Sequence, residues 1–95
     1  MSTEHGFERV LVAGAGTMGQ GIAQLCVEAG LPTLVYDVSV AMLQKAKAVI
    51  EAAWDVRVAK GKLNESEAER FKSMLQYSDR SEDLRRDLKD RKSVV

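Results

Sequence analysis

The sequence predicts an α/β fold built on a parallel sheet, and three observations carry that expectation. "RVLVAGAG", residues 9–16, is a short apolar run stopped by glycine, the pattern of a strand buried on both faces. A helical periodicity follows it directly. "TLVYD", residues 33–37, then repeats the strand pattern. Strands alternating with helices in this way imply crossover connections and parallel pairing, with right-handed crossovers.

Each element has its own local reason. From about Thr17 to Ala29, Met18, Ile22, Leu25 and Ala29 recur at three- and four-residue steps and are the expected inward face of a helix. Gly30 follows, the usual residue just past a helix end, and Pro32 keeps the chain from continuing as helix. After the second strand, Ser39 is the expected N-cap of a long helix running roughly from Val40 to Lys60. Leu43, Ala46, Ile50, Ala53 and Trp54 share one face of it, with Met42, Val49 and Val56 beside them. Trp54 is expected to pack against the following helix, on a face open to becoming exposed. The dispersed methionines read as helix packing.

"GKLN" breaks the long helix. Asn64 followed by Glu67 predicts a capping box opening another helix, with Ala68, Phe71 and Leu75 inward. "LQYS" predicts a short third strand. Asp79 to Lys92 is dominated by charges of nearly balanced sign and predicts a short solvated helix, with Leu84 and Leu88 four apart. Glu82 with Arg86 and Asp87 with Arg91 are its helix-compatible ion pairs. "KSVV" reads as the start of a fourth strand. Residues 1–95 are expected to form one domain, without internal repeat or linker.

Composition bounds the function. Lys+Arg and Asp+Glu are both 14, so no net charge favours nucleic acid or an anionic membrane. No apolar run approaches the ~20 residues of a membrane span, and the start, "MSTEHGFERV", lacks the plan of a secretory signal. One cysteine, Cys26, makes no internal disulfide and reads as a small buried thiol, so a reducing, cytoplasmic setting is expected. No Cys/His cluster has metal-ligand spacing. The single histidine, His5, sits in a polar N-terminal segment and reads as a tail residue.

The glycines carry the chemistry. Gly14, Gly16 and Gly19 stand in GxGxxG spacing between the first strand and its helix. Gly14 suits the tight turn out of the strand, Gly16 the close approach of backbone to a pyrophosphate, and Gly19 the close packing of helix on strand. The free N–H groups and dipole of the helix would then face the phosphates. Asp37 ends the second strand about twenty residues on, where an acid accepts hydrogen bonds from the adenosine ribose hydroxyls and repels a 2′-phosphate. NAD rather than NADP is the expected ligand. No Lys-Ser/Thr pair follows the glycines, which excludes a nucleoside-triphosphate P-loop.

With these residues in view, the order "VAGAGTMGQGIAQLCVEAG", "VYDVS", a long helix and "KGKLNESEAERF" resembles the start of the L-3-hydroxyacyl-CoA dehydrogenase family from about Arg9 to Asp83. The helical hairpin after the second strand, with "GKL" at its turn, is more specific than the glycine loop. The resemblance implies a partial Rossmann dinucleotide-binding fold with an inserted helical hairpin. It implies that Gly14, Ala15, Gly16, Thr17, Met18 and Gly19 form the pyrophosphate loop and that Asp37 binds the ribose. It also implies that Lys60 contacts coenzyme A, although as a residue Lys60 equally suits an ordinary solvated helix end. A second coenzyme A contact in the family, a serine, falls at Ala53, which has no hydroxyl. The family's catalytic residues lie later than the positions matched here, so no catalytic residue is assigned and the chain is expected to catalyse nothing alone.

Two functional readings follow. In the first, the chain is the NAD-binding portion of a 3-hydroxyacyl-CoA dehydrogenase-like oxidoreductase, with NAD(H) and acyl-CoA as partners. In the second, it is a non-catalytic nucleotide-binding or interaction module. Its exposed sheet edge or helical hairpin would then self-associate or complete another chain.

Overall fold

Val10–Ala13 forms the first strand, β1, and the computed structural model describes residues 10–82, 85 and 93–94. Helix α1 follows at Thr17–Glu28, strand β2 at Thr33–Tyr36, helix α2 at Val40–Ala59 and helix α3 at Glu65–Met74. Strand β3 spans Leu75–Ser78 and β4 spans Ser93–Val94. The sheet order is β3-β2-β1-β4 and every pairing is parallel. β1 is therefore an interior strand, and Val10, Leu11 and Val12 are all buried, as a strand covered on both faces requires.

Register explains which residues meet the helices. Val10 aligns with Thr33 and Val12 with Val35. Thr33 aligns in turn with Leu75, and Val35 with Tyr77. Val10, Val12, Val35 and Leu75 join Ala23, Val27, Leu43, Ala46, Ile50, Trp54, Ala68 and Phe71 in one core, with Tyr77 packed against it. Leu11 and Leu34 alternate to the other face and are buried there.

The caps agree with the sequence expectation. The Ser39 hydroxyl accepts the Met42 N–H at 3.2 Å, and the Asn64 side chain accepts the Glu67 N–H at 2.8 Å. Ala68, Phe71 and Leu75 are buried as expected. Leu43, Ala46, Ile50 and Trp54 form the buried face of α2, while Ala53 is half-buried and Val49 and Val56 are largely exposed. The expected helix over Asp79–Lys92 and its two ion pairs lie mostly outside the described residues. Within them, Ser81, Glu82 and Arg85 are helical, and Glu82 lies 3.7 Å from Arg80.

One expectation is overturned. Of the expected inward face of α1, Ile22 is half-buried and packs against the core, but Met18 is 79% exposed, Leu25 is 69% exposed and Ala29 is exposed as well. The buried residues are Ala23 and Val27, one and two turns beyond Gly19. A Cβ at Gly19 would lie 2.0 Å from the Gly14 carbonyl oxygen. At Gly19 the helix therefore rests directly on the backbone of the loop that leaves β1, and no side chain fits at that point. Met18, being exposed, is not helix packing, unlike Met42 and Met74, which pack against the core.

Trp54 is fully buried rather than left open, and it is tied to α1. Its indole N–H donates to Glu28 Oε2 at 2.8 Å, and its ring lies 5.4 Å from that of Phe71, tilted by 45°. The same Glu28 oxygen accepts Arg57 Nη1 at 2.7 Å and Gln24 Nε2 at 3.0 Å. Partial burial pushes the Glu28 carboxyl up, but the bonds from Trp54, Gln24 and Arg57 outweigh it and hold the group below its ordinary value of 4.5. A carboxyl lowered in the folded state contributes stability above its unfolded value and loses it as pH falls through the folded one. Melting temperature is thus expected to drop on acidification below about pH 4.5. Glu28→Gln should melt lower at neutral pH and show a shallower acid limb in thermal melts between about pH 7 and about pH 3. Parallel pH profiles for the two proteins would refute the role given to Glu28.

Candidate functional site

Loop, helix and acid converge at the C-terminal ends of β1 and β2. The sheet reverses its order of addition at β1: β2 and β3 lie to one side and β4 to the other. Ligands of open α/β sheets bind at such a switch point, outside the carboxyl ends of the strands. A cleft of about 370 Å³ opens here, lined by Val12, Ala13, Gly14, Gly16, Thr17, Met18, Gly19 and Ile22.

Each glycine of the loop has a different reason. Gly14 has φ +121°, a left-handed conformation that side chains resist, and its N–H still donates to Tyr36 O at 2.7 Å as the last rung of the ladder. Gly19 is fixed by its approach to Gly14. Gly16 is different: it caps α1 with φ −75°, and a Cβ built on it meets nothing within 4 Å. The protein's own packing does not require glycine there. Open space beside a backbone N–H is what an approaching phosphate needs.

The N-terminus of α1 is also unlike those of α2 and α3. Those two are capped by Ser39 and Asn64, whereas Gly16 offers no side-chain cap. The first N–H groups of a helix have no partner inside it, so they remain available to an anion.

Asp37 directly follows β2. Its Oδ1 accepts the Ser39 N–H at 2.9 Å, and its Oδ2 accepts the Ala15 N–H at 2.9 Å. The bond from Ser39, then that from Ala15, hold its carboxyl below the ordinary carboxylate value. It is ionised at neutral pH, and its remaining lone pairs can accept hydroxyl donors. The uncapped helix end, the open face at Gly16 and this half-exposed carboxylate together fit a dinucleotide's pyrophosphate and ribose.

The structure brings Gly14, Gly16, Thr17, Met18 and Gly19 together around the cleft, with Ala15 buried behind it and Asp37 bonded to the loop. Lys60 does not join them. α2 begins just after Asp37 and carries the chain 20 residues away, about 30 Å of helix, to an exposed C-cap at Lys60. Gln20 is the residue that sequence reasoning missed: its side-chain amide donates to Ala15 O at 3.0 Å. Cys26 is half-buried and burial pushes its thiol up, which makes it a packing residue. Among the described residues no cluster of His, Cys, Asp or Glu could hold a metal, and no helix is long and apolar enough to cross a membrane.

Comparison with known proteins agrees with this geometry. Residues 9–89 match the family described as the 3-hydroxyacyl-CoA dehydrogenase, NAD binding domain. The chain is 34% identical over 88 residues to a 3-hydroxybutyryl-CoA dehydrogenase of Mycobacterium tuberculosis, covering 93% of this chain and 29% of that protein. The crystal structure of (S)-3-hydroxybutyryl-CoA dehydrogenase PaaH1 from Ralstonia eutropha superposes with a TM-score of 0.77 at 35% identity, over 83% of this chain and 28% of that one. The 3-hydroxybutyryl-CoA dehydrogenase of Escherichia coli K12 gives a TM-score of 0.77 at 36% identity, over 81% and 16%. The chain thus spans less than a third of the length of these relatives. With an order-reversing parallel sheet, a glycine cleft at its switch point and a match over residues 9–89, the chain belongs to the NAD-binding domain family of the 3-hydroxyacyl-CoA dehydrogenases.

Proposed function

We propose that this chain holds the adenosine and pyrophosphate half of NAD for an oxidoreductase acting on 3-hydroxyacyl-CoA. The observation that supports this most directly is the space at Gly16, which the protein keeps clear without any packing need of its own, next to an uncapped helix end. When bound, NAD would accept or supply hydride at the C3 carbon of the acyl chain. The residues here bind and orient. The free N–H groups at the start of α1 meet the pyrophosphate, and the Asp37 carboxylate takes the ribose hydroxyls. Lys60, exposed at the far end of α2, is assigned to a contact with coenzyme A. The chain alone turns over nothing in this reading. A cytoplasmic setting belongs to the same proposal, whereas self-association through the sheet edge or the α2–α3 hairpin belongs to the alternative reading of a non-catalytic interaction module.

Titration calorimetry with NADH and NADPH tests the reading. Saturable NADH binding is expected, with NADPH weaker by roughly tenfold or more, because its 2′-phosphate meets an ionised Asp37. Asp37→Ala should weaken NADH by roughly ten- to a hundredfold, the loss of hydrogen bonds to a charged acceptor. Equal affinity for the two cofactors, or full NADH affinity in Asp37→Ala, would remove Asp37 from the ribose site.

A further inference from the structure

We propose that Gln20 is a positioning residue for the pyrophosphate loop: it locks the Ala15–Gly16 peptide so that the Gly16 N–H is presented to the ligand. The inference rests on the reading of this loop as the NAD pyrophosphate site.

The reasoning starts from peptide planarity. A trans peptide points its C=O and N–H in opposite directions, so fixing one fixes the other. Two peptide planes decide what this loop offers. In the Gly14–Ala15 peptide, the Ala15 N–H donates to Asp37 Oδ2 at 2.9 Å, and the Gly14 carbonyl oxygen lies against the Cα side of Gly19. That plane is held at both ends. In the Ala15–Gly16 peptide, the Ala15 carbonyl accepts Gln20 Nε2 at 3.0 Å. The Gly16 N–H must then point away from Gln20.

Ala15 is buried at one end of this second plane, but among the described residues no other hydrogen bond fixes its rotation. Glycine at position 16 imposes little backbone preference, and a Cβ there would meet no atom within 4 Å, so packing does not restrain it. The Gln20 backbone N–H donates to the next carbonyl, Gly16 O, at 2.9 Å. Gln20 thus grips two successive carbonyls, one with its side chain and one with its main chain. It does not line the cleft, so it acts through the loop and not on the ligand. If the Ala15–Gly16 peptide turned over, a carbonyl oxygen would replace the N–H facing the phosphate, exchanging attraction for repulsion.

Gln20→Met keeps the side chain's length and removes the amide donor. Gln20→Glu keeps the shape and replaces the donor by an ionised carboxylate. Calorimetry of the whole chain with NADH, ADP and adenosine separates the roles, and amide hydrogen exchange by NMR reads the loop without any ligand. Gln20→Met is expected to bind NADH and ADP roughly five- to tenfold more weakly, with adenosine binding and melting temperature little changed. Gln20→Glu should weaken the two phosphate ligands further. Exchange at Ala15 and Gln20, whose N–H groups donate to Asp37 Oδ2 and Gly16 O, should quicken in both variants while the sheet amides stay protected. Wild-type affinity for NADH and ADP in Gln20→Met, or an equal loss for all three ligands, would overturn the proposal. If the unsubstituted chain binds neither NADH nor ADP, the NAD reading fails by itself. Exchange then decides the role of Gln20: faster exchange confined to the loop supports it, and unchanged exchange refutes it.

Discussion

Gly19→Ala is expected to damage both the fold and the cofactor site, while Gly21→Ala, two residues along the same helix, is expected to stabilise the chain. The contrast isolates one contact. An added Cβ at Gly19 lands 2.0 Å from Gly14 O and 3.1 Å from Gly14 C, both backbone atoms, and 3.3 Å from Val12 Cγ1. No side-chain rotation relieves such a clash. α1 must move away from β1, which opens the gap that Ala23 and Val27 fill and displaces the loop that Gly14 begins. Overpacking of this kind typically costs about 1–3 kcal/mol, and more where backbone must shift. At Gly21 an added Cβ meets nothing within 4 Å, and alanine is favoured over glycine in a helix interior by about 1 kcal/mol. For a chain of this size each kcal/mol moves the melting temperature by about 4–8 °C. Calorimetric melts should place Gly19→Ala below the unsubstituted chain and Gly21→Ala above it. NADH titration should show a loss in the first variant and none in the second. Gly16→Ala completes the set: it should fold with at most a modest loss and still bind NADH poorly. Equal melting temperatures for Gly19→Ala and Gly21→Ala would mean that helix and strand are not in the contact described.

Much of this was readable in the sequence because the deciding information is local. Glycine spacing, the capping pair Asn64 and Glu67, and the apolar runs at Val10 and Thr33 each act within a few residues. The errors arise where a distant contact decides. Met18 and Leu25 look like core residues because periodicity weights bulk, yet both are exposed, and the close approach at Gly19 turns Ala23 and Val27 inward instead. The competing signal was present: Gly19, Ala23 and Val27 recur every four residues. Gln20 drew no reading of its own from the sequence, since nothing there shows that its amide turns back to Ala15 O. The cluster on Glu28 was equally hidden, because Trp54 and Arg57 lie 26 and 29 positions away in sequence.

That cluster carries the other large expected effect. Trp54→Ala should come close to unfolding the chain. A fully buried tryptophan replaced by alanine typically costs about 3–5 kcal/mol through lost transfer energy and the cavity left behind. At about 0.05–0.15 kcal/mol per residue, a chain of 95 residues holds roughly 5–14 kcal/mol in all. The substitution also removes the ring beside Phe71 and the N–H donated to Glu28. Trp54→Phe separates these contributions. It keeps most of the apolar volume and the aromatic contact but takes one donor from Glu28, which still has Gln24 and Arg57. A loss of about 1 kcal/mol is then expected, near the value of one hydrogen bond. Urea denaturation measures both variants, and a double-mutant cycle with Glu28→Gln should return a coupling of similar size. Function follows from the geometry. Glu28 is the last residue of α1, and its tie to α2 fixes the far end of the helix whose first turn faces the phosphates. Trp54→Phe should therefore keep its NADH affinity at temperatures where it remains folded. A Trp54→Ala protein as stable as the parent would show that the α2–α3 hairpin does not support α1, and would leave the orientation of the phosphate-facing turn to the β1 contact alone.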